Sequence, residues 1–393
     1  MVSRCTKIKL HGDSVIWGIT FCLAILSILV VYSATSSLAY RKMEGNTEYY
    51  LIKHTSLMIA SLMMMWLVHK VDYRYFAGFF KLALWTSFPL LLITWRYGIT
   101  VNEASRWMHV PIINKAFQPS DLAQLALISC IANILAKNQP NIGDPKKVFI
   151  PILIYSVSIC GLIALTNFSG ALILLATCML LMFFGRIPIK YLSLLMVFAM
   201  LIISIALLFG QRKETVLGRL NAFSNQKISF QTEQSYIAIA TGGIYGKGPG
   251  KSTQRNLLPY GYADFIYAIL VEEYGLIGGI TVMLFYLILL YRGIRITATN
   301  AKPYACFLSV GLSFLIGMQA LVNMGIAVGL GPVTGLQLPY ISMGGTSLLF
   351  TGIALGMILS ANIGDVDRNI DSFFQQQKNN KMGNAYKNTS QIV

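Results

Sequence analysis

Apolar residues run through this chain in long blocks separated by short polar turns. A helix needs about 20 mostly apolar residues to cross the hydrocarbon of a bilayer. Blocks of that order cover 14–38, 51–69, 77–95, 118–136, 148–166, 169–185, 190–210, 264–291, 304–328 and 341–362. The fifth and sixth part only at the polar turn Asn167–Ser169. The pattern predicts an all-α polytopic membrane protein of about ten transmembrane helices, with a large extracytoplasmic loop, 211–263, between the seventh and eighth. Residues 1–363 then form one transmembrane domain. The polar end, with Gln375-Gln376-Gln377-Lys378-Asn379-Asn380, predicts a disordered cytoplasmic tail over 364–393. No internal repeat or inverted pair of halves of the kind common in transporters is visible.

Composition supports the membrane reading. Hydrophobic residues make up 55% of the 393 and charged residues 12%, against about a quarter charged in an ordinary soluble domain. The net charge of +16 does not point to nucleic acid, because Lys and Arg fall in short clusters between apolar blocks. With the long loop set aside, those clusters favour the side of the N-terminus, so both termini are expected in the cytoplasm and the 211–263 loop outside. Arg4, Lys7 and Lys9 precede the first block as they would a signal peptide. The block at 14–38 outruns a signal core of about 7–15 residues, so an uncleaved first span is the expectation. Six cysteines show no C-x-x-C spacing and read as packing thiols rather than disulfides, a metal site or a redox motif.

Candidate chemistry gathers in the polar intervals. Asp264 follows the turn residues Pro259 and Gly261 and opens the eighth block. Counting back about 20 residues from Arg292 puts the outer lipid boundary near Glu272 and Asp264 about two helical turns above it. An Asp there either caps the helix or offers a carboxylate at the membrane surface. Glu272 and Glu273 lie at the apolar zone, where carboxylates face a cavity or a partner. At about 100° per residue, Glu272 is expected to share the face of Asp264 and Glu273 to point away.

The long loop carries Arg212, Lys213, Arg219, Lys227, Lys247, Lys251 and Arg255 against Glu214 and Glu233. That excess of cations suits either a phosphate-bearing substrate or anionic lipid headgroups. Gly246-Lys247-Gly248-Pro249-Gly250-Lys251-Ser252 superficially suggests a nucleotide phosphate loop. G-x-x-x-x-G-K-[ST] needs a glycine where Tyr245 stands, and no strand precedes the segment, so that reading is rejected. The glycines are expected to permit tight turns or close approach of the backbone.

A second outer interval holds Asn102-Glu103-Ala104-Ser105-Arg106-Trp107 and then Phe117-Gln118-Pro119-Ser120-Asp121-Leu122-Ala123. Trp107 there is an interfacial anchor or a site residue, and Arg106 pairs either a diphosphate or Asp121. The last outer turn, Gly331 to Ser347, has two prolines and four glycines. Broken backbone at membrane depth is tolerated only against protein or a cavity, which predicts a central cavity opening outward.

Four blocks in order resemble the SEDS family of polytopic peptidoglycan glycosyltransferases, which includes FtsW, RodA and SpoVE. They are N-x-A-x-R-W with F-Q-P-S-[ED]-L-A, then Q-S-x-x-A-I-x-x-G-G-x-x-G-K-G-x-G, then D-F-I-[FY]-A with E-E-x-G-L-I-G, and P-V-T-G-x-x-L-P-[FY]-I-S-x-G-G-[ST]-S. The resemblance extends from the first span to about Ala361 and is nearer to FtsW at its C-terminal end.

It implies polymerisation of lipid II at the outer face of the bacterial cytoplasmic membrane, with release of a polyprenyl diphosphate, in cell division or elongation. It places the family's essential aspartate at Asp264 and its loop tryptophan at Trp107. Arg106, Trp107, Asp121, Arg219, Gln234, Ser235, Lys247 and Glu272 become the candidates for binding substrate. It also implies a class B penicillin-binding protein transpeptidase as partner. A divalent cation, Mg or Mn, could share the charge of the diphosphate, although no ligand cluster in the sequence demands one.

Three departures are evident. The family's P-E-x-H-T-D reads Pro259-Tyr260-Gly261-Tyr262-Ala263-Asp264, its Q-P-S-E-L-A-K ends in Gln124, and its D-L-G-T reads Asn167-Phe168-Ser169-Gly170. Two other functions stay open on the sequence: a lipid II flippase, suggested by ten spans and a broken helix, and a non-catalytic scaffold for the transpeptidase, suggested by the departures.

Overall fold

The computed structural model describes residues 12–42, 46–101, 104–110, 115–209, 213–224, 229–258, 261–299 and 302–363. Ten long helices occupy the ten apolar blocks: α1 (Ser14–Lys42), α2 (Thr47–Lys70), α3 (Tyr73–Tyr97), α4 (Pro119–Lys137), α5 (Ile150–Thr166), α6 (Phe168–Phe184), α7 (Ile189–Phe209), α10 (Ile266–Thr299), α11 (Pro303–Ala327) and α12 (Thr346–Asn362). Among the described residues seven segments are long and apolar enough to cross a membrane, and α6, α7 and α12 are shorter apolar helices. The chain is a multi-pass membrane protein.

The eighth block runs further than its apolar stretch, to Thr299, and the last begins five residues late, because 341–345 is the irregular end of the glycine-rich turn. The expected tail over 364–393 lies outside the described residues.

Two features were not expected. The long loop contains helices α8 (Lys213–Ser224) and α9 (Phe230–Gly242). The interval after α3 forms a small antiparallel sheet, β1 (Ile99–Val101), β2 (Ala104–Val110) and β3 (Lys115–Phe117), in the order β1-β2-β3. Ile99 stands opposite Trp107 and Met108 opposite Phe117.

α4 is the central helix. Ala123, Ala126, Leu127, Ile128, Ile131, Ala132 and Leu135 are all 0% exposed, and Gln124 Oε1 accepts from Gln319 Nε2 of α11 at 3.2 Å. Where the resemblance leads one to expect a lysine, a neutral amide pair therefore joins α4 to α11. α3 lies at the periphery: Tyr75, Phe79, Leu82 and Trp85, at helical spacing, are 72%, 64%, 66% and 59% exposed. A face that apolar is suited to lipid.

Without a hydrophobic drive between helices in lipid, close packing of small residues takes over. α12 carries Gly352 and Gly356, four residues apart, against α2. A Cβ on Gly352 would fall on the Ser61 main chain, and one on Gly356 would lie 2.8 Å from Met65 O and 2.9 Å from Val68 Cβ. Ser61 Oγ donates to Leu348 O at 2.6 Å and Ser360 Oγ to Val71 O at 2.5 Å, fastening both ends of the same seam. Gly356→Leu is expected to lower the thermal unfolding midpoint of detergent-solubilised protein, with an overpacking cost of about 1–3 kcal/mol. An unchanged midpoint would show that the two helices separate freely.

Candidate active site

The irregular segment 328–345, between α11 and α12, is the floor on which the candidate blocks meet. Asn323, buried near the end of α11, uses one amide nitrogen twice: Nδ2 donates to Asp264 O at 2.9 Å and to Leu336 O at 2.6 Å. Ser342 Oγ donates to Ala263 O at 2.6 Å and accepts from Leu338 N at 2.8 Å. Met343 N donates to Tyr262 O at 3.1 Å. Three consecutive residues, Tyr262 to Asp264, are thus held through their carbonyls. These contacts position the aspartate through its main chain and that of the two residues before it.

The structure also decides where Asp264 stands relative to its helix. Phe265 O accepts from Ala268 N at 3.0 Å and Ile269 N at 3.4 Å, so Phe265 holds the cap position and Asp264 lies one residue outside α10. The turn that anchors it is itself tightly held. Tyr340 has φ +68°, a left-handed conformation costly for a residue with a Cβ. It is buried at 2% exposure, accepts from Ser61 Oγ at 3.3 Å and lies beside Ile341, whose carbonyl accepts from Ser27 Oγ of α1 at 2.9 Å. Tyr286 of α10 donates its hydroxyl to Pro339 O.

Other candidates converge on the same turn. Arg219 of α8 donates Nη1 to Val333 O at 2.9 Å. Ser235 of α9, fully buried, donates to Ala327 O at 2.9 Å and so satisfies the last carbonyl of α11, while Gln234 beside it is buried. Trp107 lies in β2 with its ring 3.9 Å from where a Cβ on Gly345 would sit, and Phe117 of β3 packs on Phe350 of α12 with ring centroids 5.8 Å apart. Asp121, in the first turn of α4, accepts from Gln118 Nε2 at 3.0 Å. Arg106 lies in β2, and its side chain is outside the described residues.

Lys247 and Glu272 belong to a different construction. α10 breaks at Gly275, with φ +69° and ψ −173°. In an unbroken helix Leu276 N and Ile277 N would donate to Glu272 O and Glu273 O. Here those two carbonyls accept from Lys247 N at 2.9 Å and Gly248 N at 3.0 Å, while Leu276 N and Ile277 N donate to Gly243 O at 2.9 Å and Ile244 O at 3.3 Å. The glycine-lysine segment is spliced into two rungs of the helix ladder. A Cβ on Gly246 would land on Glu273 O and one on Gly275 on Ile244 O, so both positions need glycine for space as well as for positive φ.

Both glutamate side chains turn into the loop that follows. Glu272, 0% exposed, pairs with Lys247 Nζ at 2.6 Å and accepts from Thr253 N at 3.1 Å, Thr253 Oγ1 at 2.9 Å, Gln254 N at 3.3 Å and the Ser252 hydroxyl. Glu273, 1% exposed, accepts from the Ser33 hydroxyl of α1 and from Ser252 N at 3.4 Å. Arg255 Nη1 donates to Ser33 Oγ at 2.9 Å. The expected division of roles, with Glu272 beside Asp264 and Glu273 turned away, gives way to a shared one: both carboxylates fasten the 247–255 segment. Sequence reasoning missed the roles of Asn323 and Ser33, which no motif marks, and of Ser342, which stands inside the last motif block but was not singled out there.

A shallow apolar crevice opens between α5, α6 and α7, lined by Cys160 and Ala164, Phe168 and Leu172, and Ala199 and Ile203. No candidate residue borders it.

Known proteins resemble this chain in sequence and in fold. The chain is 32% identical over 356 residues to a probable peptidoglycan glycosyltransferase FtsW of Geobacter metallireducens, covering 89% of this chain and 94% of that protein. It is 30% identical over 366 residues to stage V sporulation protein E of Bacillus subtilis, covering 91% and 98%. Its fold matches a chain of a solved peptidoglycan synthase complex that coordinates polymerization and crosslinking, with TM-score 0.68, 24% identity and coverage of 90% and 98%. It also matches the crystal structure of the Thermus thermophilus rod shape determining protein RodA, with TM-score 0.64, 22% identity and coverage of 90% and 97%. The sequence profile of the FtsW/RodA/SpoVE cell cycle proteins spans residues 13–365, and the chain belongs to that family.

Proposed function

We propose that this protein is the peptidoglycan glycosyltransferase of a division-type wall synthase, polymerising lipid II at the outer face of the bacterial cytoplasmic membrane, with Asp264 as its catalytic carboxylate. The observation that carries the assignment is the grip on residues 262–264. Asn323, Ser342 and Met343 N hold three successive carbonyls, fixing one carboxylate-bearing residue just outside a membrane helix. Positioning of this kind supplies much of the rate in group transfer.

In the reaction, the acceptor sugar hydroxyl attacks the anomeric carbon of the second glycan. The new C–O bond forms as the bond to the diphosphate breaks, and the polyprenyl diphosphate leaves. Asp264 takes the hydroxyl proton, and loop cations balance the charge on the leaving group. Arg106 and the exposed Lys251 are the candidates for that second role, since Lys247 is engaged by Glu272. Trp107 and the 328–345 turn form the adjoining wall. Among the described residues no group of three His, Cys, Asp or Glu could hold a metal ion. A divalent cation would supply further charge neutralisation for the leaving diphosphate, with Asp264 as the carboxylate that would help hold it.

A lipid II flippase would need ionisable groups along a path through the spans. Glu272 and Glu273 are instead tied into fixed contacts with the loop, which favours catalysis over translocation. The partner is proposed to be a class B penicillin-binding protein that crosslinks the nascent strand.

Purified protein with its cognate transpeptidase is expected to polymerise lipid II. Asp264→Asn should abolish polymer on a gel while the protein stays monodisperse; polymer at the wild-type level would refute the catalytic role. Asn323→Ala removes the amide from two carbonyls, and kcat is expected to fall on the order of 10- to 100-fold with little change in KM. With both termini cytoplasmic, Tyr245→Cys, at an 83% exposed position, should react with a membrane-impermeant maleimide in intact cells and Lys190→Cys should not. The reverse pattern would invert the topology.

A further inference from the structure

The 246–255 segment resembles a phosphate loop in composition and fails its spacing, yet it does cradle an anion. The anion is internal. The Glu272 carboxylate collects an ammonium, two hydroxyls and two main-chain N–H groups from Lys247, Ser252, Thr253 and Gln254. The neighbouring Glu273 accepts from Ser252 N of the same loop and from the Ser33 hydroxyl of α1, and Arg255 closes that link by donating to the same Ser33 oxygen.

These side chains act on the part of α10 that matters for the site. The break at Gly275 separates the helix into 266–274, which follows directly on Asp264, and 276–299. The short piece has lost two of its own rungs to residues 247 and 248, so the long piece no longer holds it through a continuous ladder. Its direction is set by the loop and by α1. Two adjacent buried carboxylates, 0% and 1% exposed, would be a costly arrangement in an apolar setting unless the contacts they make were needed.

We propose that Lys247, Glu272, Glu273, Arg255 and Ser33 are positioning residues: a clamp that orients the 266–274 segment, and through it Asp264, against the 328–345 turn, and ties both to the outer part of α1. The catalytic half of this statement rests on the glycosyltransferase reading; the mechanical half does not. Lys247 then serves the reaction through Glu272 rather than by touching the diphosphate. A buried pair with one partner removed leaves an uncompensated charge, whereas removing both leaves none. The two single substitutions should therefore be worse than the double one.

The test uses full-length protein purified with its transpeptidase partner, comparing Lys247→Met, Glu272→Gln, the double variant and Lys247→Arg. Each is taken as the monodisperse fraction and assayed with lipid II. The clamp predicts kcat lowered on the order of 10-fold or more in each single variant with KM nearly unchanged, partial recovery in the double variant, and rescue by Lys247→Arg. A rise in KM for Lys247→Met alone, with Glu272→Gln unaffected, would overturn it in favour of direct diphosphate binding. Unchanged kcat in folded protein would overturn it in favour of a purely structural pair.

Hydrogen exchange on the same samples gives a readout independent of activity. Peptides covering 261–274 and the Ser33 region should exchange about threefold faster or more in the single variants, while α4 peptides stay unchanged. Uniform loosening, or none, would sink the clamp. Wild-type protein that makes no polymer yet shows the local exchange effect would refute the glycosyltransferase reading and leave the clamp standing.

Discussion

The four main-chain hydrogen bonds at the break in α10 are the constraint on which the outer half of the molecule depends. In a bilayer or a packed interior a helix cannot be interrupted without supplying partners to the freed N–H and C=O groups, each of which is expensive to leave unmade. Gly275 interrupts α10, and residues 243–248 supply all four partners, accepting from Leu276 N and Ile277 N and donating to Glu272 O and Glu273 O. This substitution fixes the register between loop and helix. With the register fixed, Lys247 meets Glu272, Ser252 meets both glutamates, and Arg255 meets Ser33.

A second consequence concerns the floor of the site. Once 266–274 is set, Asp264 precedes it by two residues, and its position depends on whether the 328–345 turn is rigid. That turn has little regular hydrogen bonding of its own, so side chains from four helices complete it: Asn323, Tyr286, Ser27 and Ser61 each bond a main-chain oxygen of residues 336–348. Single serines and an asparagine are effective here because a short polar side chain in an apolar setting has few alternative partners. Tyr340 tolerates a left-handed backbone because its buried ring and hydroxyl are held on both sides.

Much of this was legible in the sequence, and the reason is the bilayer. The demand for about 20 apolar residues per span gives a strong periodic signal, and the ten helices fall on the ten blocks. The glycine-rich turn at 331–345 and its irregular backbone were also readable, since two prolines and four glycines exclude a lipid-facing helix. What escaped was pairing across long separations. The antiparallel sheet around Trp107 is short and rests on neighbours from α3 and α12, so no alternating run announces it. Helices α8 and α9 are too polar to register as spans. The roles of Asn323 and Ser342 depend on contacts with residues 59 and 79 positions away, which local pattern does not encode.

The glycine-lysine segment shows why composition and geometry gave different answers. Glycines beside lysine, serine and threonine provide unencumbered N–H groups and donors, and that chemistry receives an anion wherever one is offered. In a nucleotide site the anion is a phosphate brought from outside. Here a chain that already carries two adjacent carboxylates in an apolar helix has to neutralise or hydrogen-bond them, and the loop does so while repairing the break in the helix. The same donors cannot serve a fixed carboxylate and a transient diphosphate at once. On the proposed reading the cations that meet the substrate come from elsewhere, and the candidate in place of Lys247 is Arg106, on the strand that also carries Trp107.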